Sequence, residues 1–184
     1  MTTATMTPTA TATAWQIDPT HSHVEFAVRH LMISTVKGRF RDVTGIVTGV
    51  DQGDEPSVDV SIATASIDTR EDQRDAHLRS ADFFDADRFP TLRFRSTRIV
   101  AAGDALAVTG DLTIKDVTKE VTLAVTREGR GKDPWGGERA GYSATTKINR
   151  KNFGLTWNQA LETGGVLVGD EIKISIDLEL VKAK

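Results

Sequence analysis

Trp15-Gln16-Ile17-Asp18-Pro19-Thr20-His21-Ser22-His23-Val24-Glu25-Phe26-Ala27-Val28-Arg29-His30-Leu31 alternates in character over its second half. Successive side chains of an extended chain point to opposite faces, so Ser22, Val24, Phe26, Val28 and His30 share one face. His21, His23, Glu25, Ala27 and Arg29 share the other. The first face is apolar with a polar group at each end. Such a face suits the wall of a cavity that holds something greasy with a polar head.

The same period of two recurs along the chain. It is plainest where Ile172, Ile174, Ile176, Leu178 and Leu180 alternate with Lys173, Ser175, Asp177 and Glu179. Val58-Val60-Ile62-Thr64, Leu92-Phe94-Ser96, Leu106-Val108 and Val121-Leu123-Val125 repeat it. Turn signals fall between these runs at Asp51-Gln52-Gly53-Asp54, Ala102-Gly103-Asp104 and Asp133-Pro134-Trp135-Gly136-Gly137. Many short strands at hairpin spacing imply an all-β fold, an antiparallel barrel or sandwich.

One segment departs from the pattern. Thr69 to Phe84 has no β-branched residue after Thr69, and Asp68 with Glu71 three residues on has the form of a helix start. A short helix is predicted over about 70–80. Leu78 is almost its only large apolar residue, so the helix is expected to lie over a surface or a barrel opening. Phe83-Phe84 and Phe89-Pro90 would pin it there.

Composition narrows the function. A chain of 184 residues with 39% hydrophobic content suits one folded domain, expected at 15–184 behind a disordered tail at 1–14. A net charge of -3 without a polybasic stretch argues against nucleic acid as a partner. The absence of cysteine excludes disulfides, thiolate metal sites and cysteine nucleophiles. MTTATMTPTATATA lacks the basic and apolar regions of a signal peptide, and no run approaches the roughly 18 apolar residues of a membrane span. A cytoplasmic protein is the expectation.

His21, His23 and Glu25 lie two apart on one strand face, about 7 Å between neighbours, a spacing that can serve a metal. Beyond this cluster only His30 and His77 remain as imidazoles, so a polar outer barrel face is the better reading and no metal is expected. Ser22 and His30 are eight residues apart on one strand, roughly 26 Å, too far to act as nucleophile and base. No G-x-S-x-G elbow and no P-loop spacing is present, so no catalytic residue is assigned. Arg70, Arg74 and His77 fall along one face of the predicted helix, with Arg79 close by. At a barrel mouth they could hold a phosphate or a polar ring; interleaved with Glu71, Asp72 and Asp75, they could equally form a solvated face.

Four blocks resemble the YceI-like, polyisoprenoid-binding family. They are Trp15-x-Ile17-Asp18 through His21-Ser22-x-Val24-x-Phe26-x-Val28-x-His30-Leu31 with Ser34-x-Val36-x-Gly38-x-Phe40, and Arg74-Asp75-x-His77-Leu78-x-Ser80-x-Asp82-Phe83-Phe84 through Phe89-Pro90. Gly110-Asp111-Leu112-Thr113-Ile114 with Val117-Thr118-Lys119, and Ile148-x-Arg150 with Phe153-Gly154-Leu155, complete the set. The resemblance implies an eight-stranded, lipocalin-like antiparallel barrel whose apolar channel binds an isoprenoid quinone or a polyprenyl phosphate. It also implies a homodimer. Val24, Phe26, Val28, Phe40, Phe94 and Ile174 are expected to line the channel. His30, Arg74 and His77 are expected as polar contacts for the head or the channel ends. The expected role is a carrier or sequestering protein with a bound isoprenoid lipid and no cofactor. The rivals are an enzyme acting on a quinone or prenyl diphosphate, with His30 or His77 as acid or base, and a ligand-free structural or stress-response module.

Overall fold

Strands β1 (Trp15–Ile17) and β2 (His23–His30) form one long stave bent at residues 18–22, where Pro19 interrupts the run. Strands β3 (Ser34–Phe40) and β4 (Val43–Thr48) form a second stave, bent at Arg41 and Asp42. Strands β5 (Ser57–Ala63) and β6 (Ile67–Asp68) form a third, broken by a 3-10 turn at Thr64–Ser66. Five unbroken strands follow: β7 (Thr91–Ala102), β8 (Ala105–Ile114), β9 (Val117–Lys132), β10 (Glu138–Asn149) and β11 (Val168–Lys182). Each stave pairs antiparallel with the next in chain order, and β11 returns to pair with β1 and β2. The result is a closed, eight-stave, up-and-down barrel, the fold the resemblance predicts and one of the two the alternation allows. The computed structural model describes residues 12–103, 105–162 and 164–183.

Most of the leader expected to be disordered, residues 1–11, lies outside the described residues. At its end the Thr13 N–H donates to Asp54 Oδ2 at 2.8 Å, and Ala14 O accepts from the Ala183 N–H at 2.9 Å. Trp15, fully buried, then starts the wall, its indole N–H donating to Asp51 Oδ2 and its ring lying beneath Arg130.

The predicted helix is present as α1, Asp72–Arg79, in the crossover between β6 and β7. Its cap differs from the expectation. Glu71 accepts from the Gln73 and Arg74 N–H groups at 3.1 and 2.6 Å. Asp68, by contrast, accepts from the Arg70 N–H and from the guanidinium groups of Arg39 and Arg41. Arg70 sits in the left-handed region at φ 62°, so the chain turns once more after Asp68 before helix begins. Leu78, Phe83 and Phe84 face the barrel interior, and the helix closes that end of it.

Two glycines thin the wall where aromatic rings need room. Gly38 on β3 is the direct cross-strand partner of Phe26 on β2, and a Cβ there would overlap Phe26 Cζ and stand 2.8 Å from Thr69 Cγ2. Gly110 on β8 likewise would overlap Arg95 O and come within 2.6 Å of Phe94 Cζ. Each ring lies over a neighbouring glycine and leaves the lumen clear. Gly38→Ala is therefore expected to push the Phe26 ring off the wall at a cost of about 1–3 kcal/mol, read from the urea midpoint. An unchanged midpoint would show that the ring moves freely.

Candidate binding site

The inward faces of the staves enclose a cavity of about 460 Å³, within the roughly 300–1,000 Å³ usual for ligand sites. Val24, Phe26, Val28, Phe40, Phe94 and Ile174 all line it, together with Val60, Leu92, Val108, Leu123 and Ile176. Most of them are the inward members of the alternations on β2, β5, β7, β9 and β11. The alternation that closes the barrel is therefore also what makes its lumen apolar.

The two ends of the cavity differ. At the α1 end the boundary is made by Leu78, Phe83, Phe84, Arg150 and Leu155, all buried or half-buried. At the other end, among the hairpins joining β4 to β5, β7 to β8 and β9 to β10, Pro56, Ala101 and Arg127 border the cavity and are exposed. The lumen is blind beneath the helix and open opposite it.

His30, Arg74 and His77 are not among the residues lining this cavity. Arg74 donates through Nε to Thr69 Oγ1 at 2.7 Å and through Nη2 to Thr69 O at 3.0 Å. His77 Nε2 is 2.8 Å from Asp82 Oδ2, and its ring meets Phe83 and Trp157 edge-on at 5.1 and 4.7 Å. Arg79 donates to the carbonyls of Ala65 and Ile67. The basic face seen in the helical spacing is spent largely on tying α1 to the chain before it. His30, half-buried, ends β2 opposite Val168 and Ser34.

Arg150, to which the sequence assigns no role beyond its motif, is the most fully engaged polar side chain at the blind end. It is buried, and its five N–H groups all have acceptors: Nε with Gly169 O, Nη1 with Leu155 O and Trp157 O, Nη2 with Val168 O and Asp170 Oδ1. Burial pulls its pKa below the ordinary arginine value, against the attraction of Asp170. The signal is in the spacing: Arg150 stands two residues after Ile148, an inward residue of β10, so a charge falls where the alternation asks for an apolar group.

His21, His23 and Glu25 do not converge as a metal site. His21 Nδ1 instead lies 3.0 Å from Asp18 Oδ2 and 3.9 Å from Glu179 Oε1, while His23 and Glu25 are exposed on the outer face of β2. Arg139 bridges the same two carboxylates at 2.7 and 2.5 Å and reaches Asp133 through Nε, so a guanidinium already supplies the cation of that cluster.

Hydrogen bonds from Thr20, Arg139 and His21 hold Asp18 well below the usual carboxylate range. Arg130, with Lys182 and the Trp15 indole, lowers Asp51 to about 2; Arg41, with the Arg70 N–H and Arg39, lowers Asp68 to about 2. An acid with a folded pKa below its unfolded one stabilises the fold above the unfolded value, and that contribution is lost as pH falls through the folded value. The urea midpoint is thus expected to hold level from neutral pH to about 5 and to drop as pH falls from about 4 toward 2. A midpoint level down to pH 2 would contradict it.

The YceI-like domain family matches residues 15–180, nearly the whole barrel. This chain belongs to the YceI-like family. Protein YceI of Salmonella newport is 39% identical over 183 residues, a match spanning 97% of this chain and 92% of that protein. The crystal structure of the Campylobacter jejuni YceI protein superposes with a TM-score of 0.72 at 32% identity, covering 85% of this chain and 90% of the other. BcnA of Burkholderia cenocepacia gives a TM-score of 0.77 at 25% identity, over 89% and 98%. A polyisoprenoid binding domain from Saccharophagus degradans, implicated in plant cell wall breakdown, gives 0.66 at 14% identity over 92% and 98%, a likeness of fold. Among the described residues of this YceI-like chain, no helix is long and apolar enough to cross a membrane.

Proposed function

We propose that this YceI-like protein binds the chain of a long isoprenoid lipid, a quinone or a polyprenyl phosphate, and carries or sequesters it without chemistry. The observation that carries the reading is the apolar lumen, blind at the α1 end. Each methylene removed from water there contributes about 0.8 kcal/mol, so several prenyl units supply high affinity from burial alone. The fold shared with a domain described as polyisoprenoid-binding supports the ligand class. The positions of His30 and His77 off the cavity lining support a carrier over an enzyme, because they were the acid–base candidates. The reading includes a cytoplasmic homodimer, which fractionation of the native host and light scattering would test.

Organic extraction of the protein purified from its native host, followed by mass spectrometry, tests the main proposal. Unmodified long-chain isoprenoid lipid at near-stoichiometric amount is the expected result. An empty barrel that turns over added prenyl diphosphate would overturn it in favour of an enzyme. Failure of a nonpolar fluorescent probe to find a saturable site would overturn it in favour of a filled structural module.

A further inference from the structure

Three charged residues border the cavity, and their surroundings set one of them apart. Glu25 is exposed on the outer face of β2, opposite Arg39. Arg150 has every N–H engaged at the blind end. Arg127 stands exposed at the open end, and its side chain makes no hydrogen bond or ion pair among the described residues. It continues the inward series Val121, Leu123, Val125 along β9, so the residue that ends the apolar stripe is a cation at the mouth. Tyr142, its direct cross-strand partner, lines the cavity beside it.

Other polar groups near the rim are paired with one another. Beyond Arg127 the register between β9 and β10 shifts, with Tyr142 opposite Arg127 but Gly141 opposite Gly129. Arg130 then lies over the Trp15 ring at 4.8 Å, bonded to Asp51 and Glu138. Lys182 shares those two carboxylates. The Thr48 hydroxyl is taken by Glu55 O and Ser57 Oγ. Among the described residues that line the cavity at this end, Arg127 is the charge without a partner.

We infer that Arg127 anchors an anionic head group, a phosphate or carboxylate, of an amphiphile whose tail occupies the lumen. The inference rests on the barrel as a lipid-chain site and adds the charge and position of the head. The tail enters first, and the head stops at the mouth, where the guanidinium offers paired N–H donors to its oxygens. The contact is partly solvated, so its strength falls with added salt. A neutral head lacks the ion pair with Arg127 and binds mainly through its chain. Arg74 and His77, engaged at the other end, contribute nothing to this selection.

The test compares geranylgeranyl monophosphate with geranylgeraniol, titrated into the full-length protein at low ionic strength. The wild type is expected to prefer the phosphate by roughly tenfold or more, and Arg127→Gln to erase that preference while holding the alcohol's affinity. Arg127→Lys should retain part of it, and added salt should weaken only the phosphate. Arg127 is exposed, so neither variant removes a buried contact; Arg74→Ala serves as the comparison and should leave the preference intact. Equal affinities in the wild type, or a preference that survives Arg127→Gln, overturn the inference and leave the channel standing. A preference lost in Arg74→Ala instead overturns it and puts the head at the α1 end. Binding of neither ligand overturns the channel reading, and the inference falls with it.

Discussion

Arg150→Met should destabilise the protein by about 3–5 kcal/mol, among the largest losses expected from one polar position in this barrel. The methionine fills much of the volume but donates nothing. It leaves Leu155 O, Trp157 O, Val168 O and Gly169 O without their guanidinium donor, and each buried carbonyl that finds no replacement costs about 1–3 kcal/mol. Arg150→Lys keeps the charge but has three donors where five are used, so it should recover less than half of the loss. Urea unfolding gives the energy. Proteolysis within residues 156–167, the segment those carbonyls help to fasten, gives the location. A loss under about 1 kcal/mol would show that water replaces the guanidinium there.

Ala144→Phe should weaken lipid binding by roughly a hundredfold while leaving the fold intact. Ala144 lies on β10 between Val125 of β9 and Ile176 of β11, and all three face the lumen. The added ring projects into space now bordered by apolar side chains, so stability should stay within about 1–2 kcal/mol of the wild type. A prenyl chain loses that space. If the ring displaces the equivalent of four methylenes, the loss is about 3 kcal/mol, or roughly a hundredfold in affinity. Extraction with mass spectrometry and titration of a nonpolar fluorophore would both read the change. Unchanged binding in a folded Ala144→Phe protein would mean that the ligand does not use the lumen.

Much of this arrangement is legible in the sequence, for a definite reason. A strand with one face in a core announces itself by period two, so β2 and β11 could be read residue by residue, and their inward apolar members do line the cavity, although His30 does not. The bends that split three staves could not be read in the same way. Arg41 and Asp42 carry no strong turn signal, and the break at Thr64–Ser66 depends on β6 swinging away to pair with β3. The helix was legible from its composition, but its cap was not. Asp68 and Glu71 are both good acceptors, and the choice between them follows from Arg39 and Arg41, distant in sequence, claiming Asp68.

The polar residues show the same division. Spacing places Arg74 and His77 on one helix face, but nothing in it shows that Thr69 and Asp82 would take them up. Arg127 and Arg150 sit in step with apolar neighbours, yet a charge is ordinarily assigned to the outside. Only the closed barrel shows that one lies at its mouth and the other at its sealed end.

That sealed end has a consequence for exchange. A container with one door admits its guest tail-first and must return it head-first, and no newcomer can push from behind. Off-rates should therefore be a property of the resident molecule, slowing with each added prenyl unit and indifferent to how much competitor waits outside.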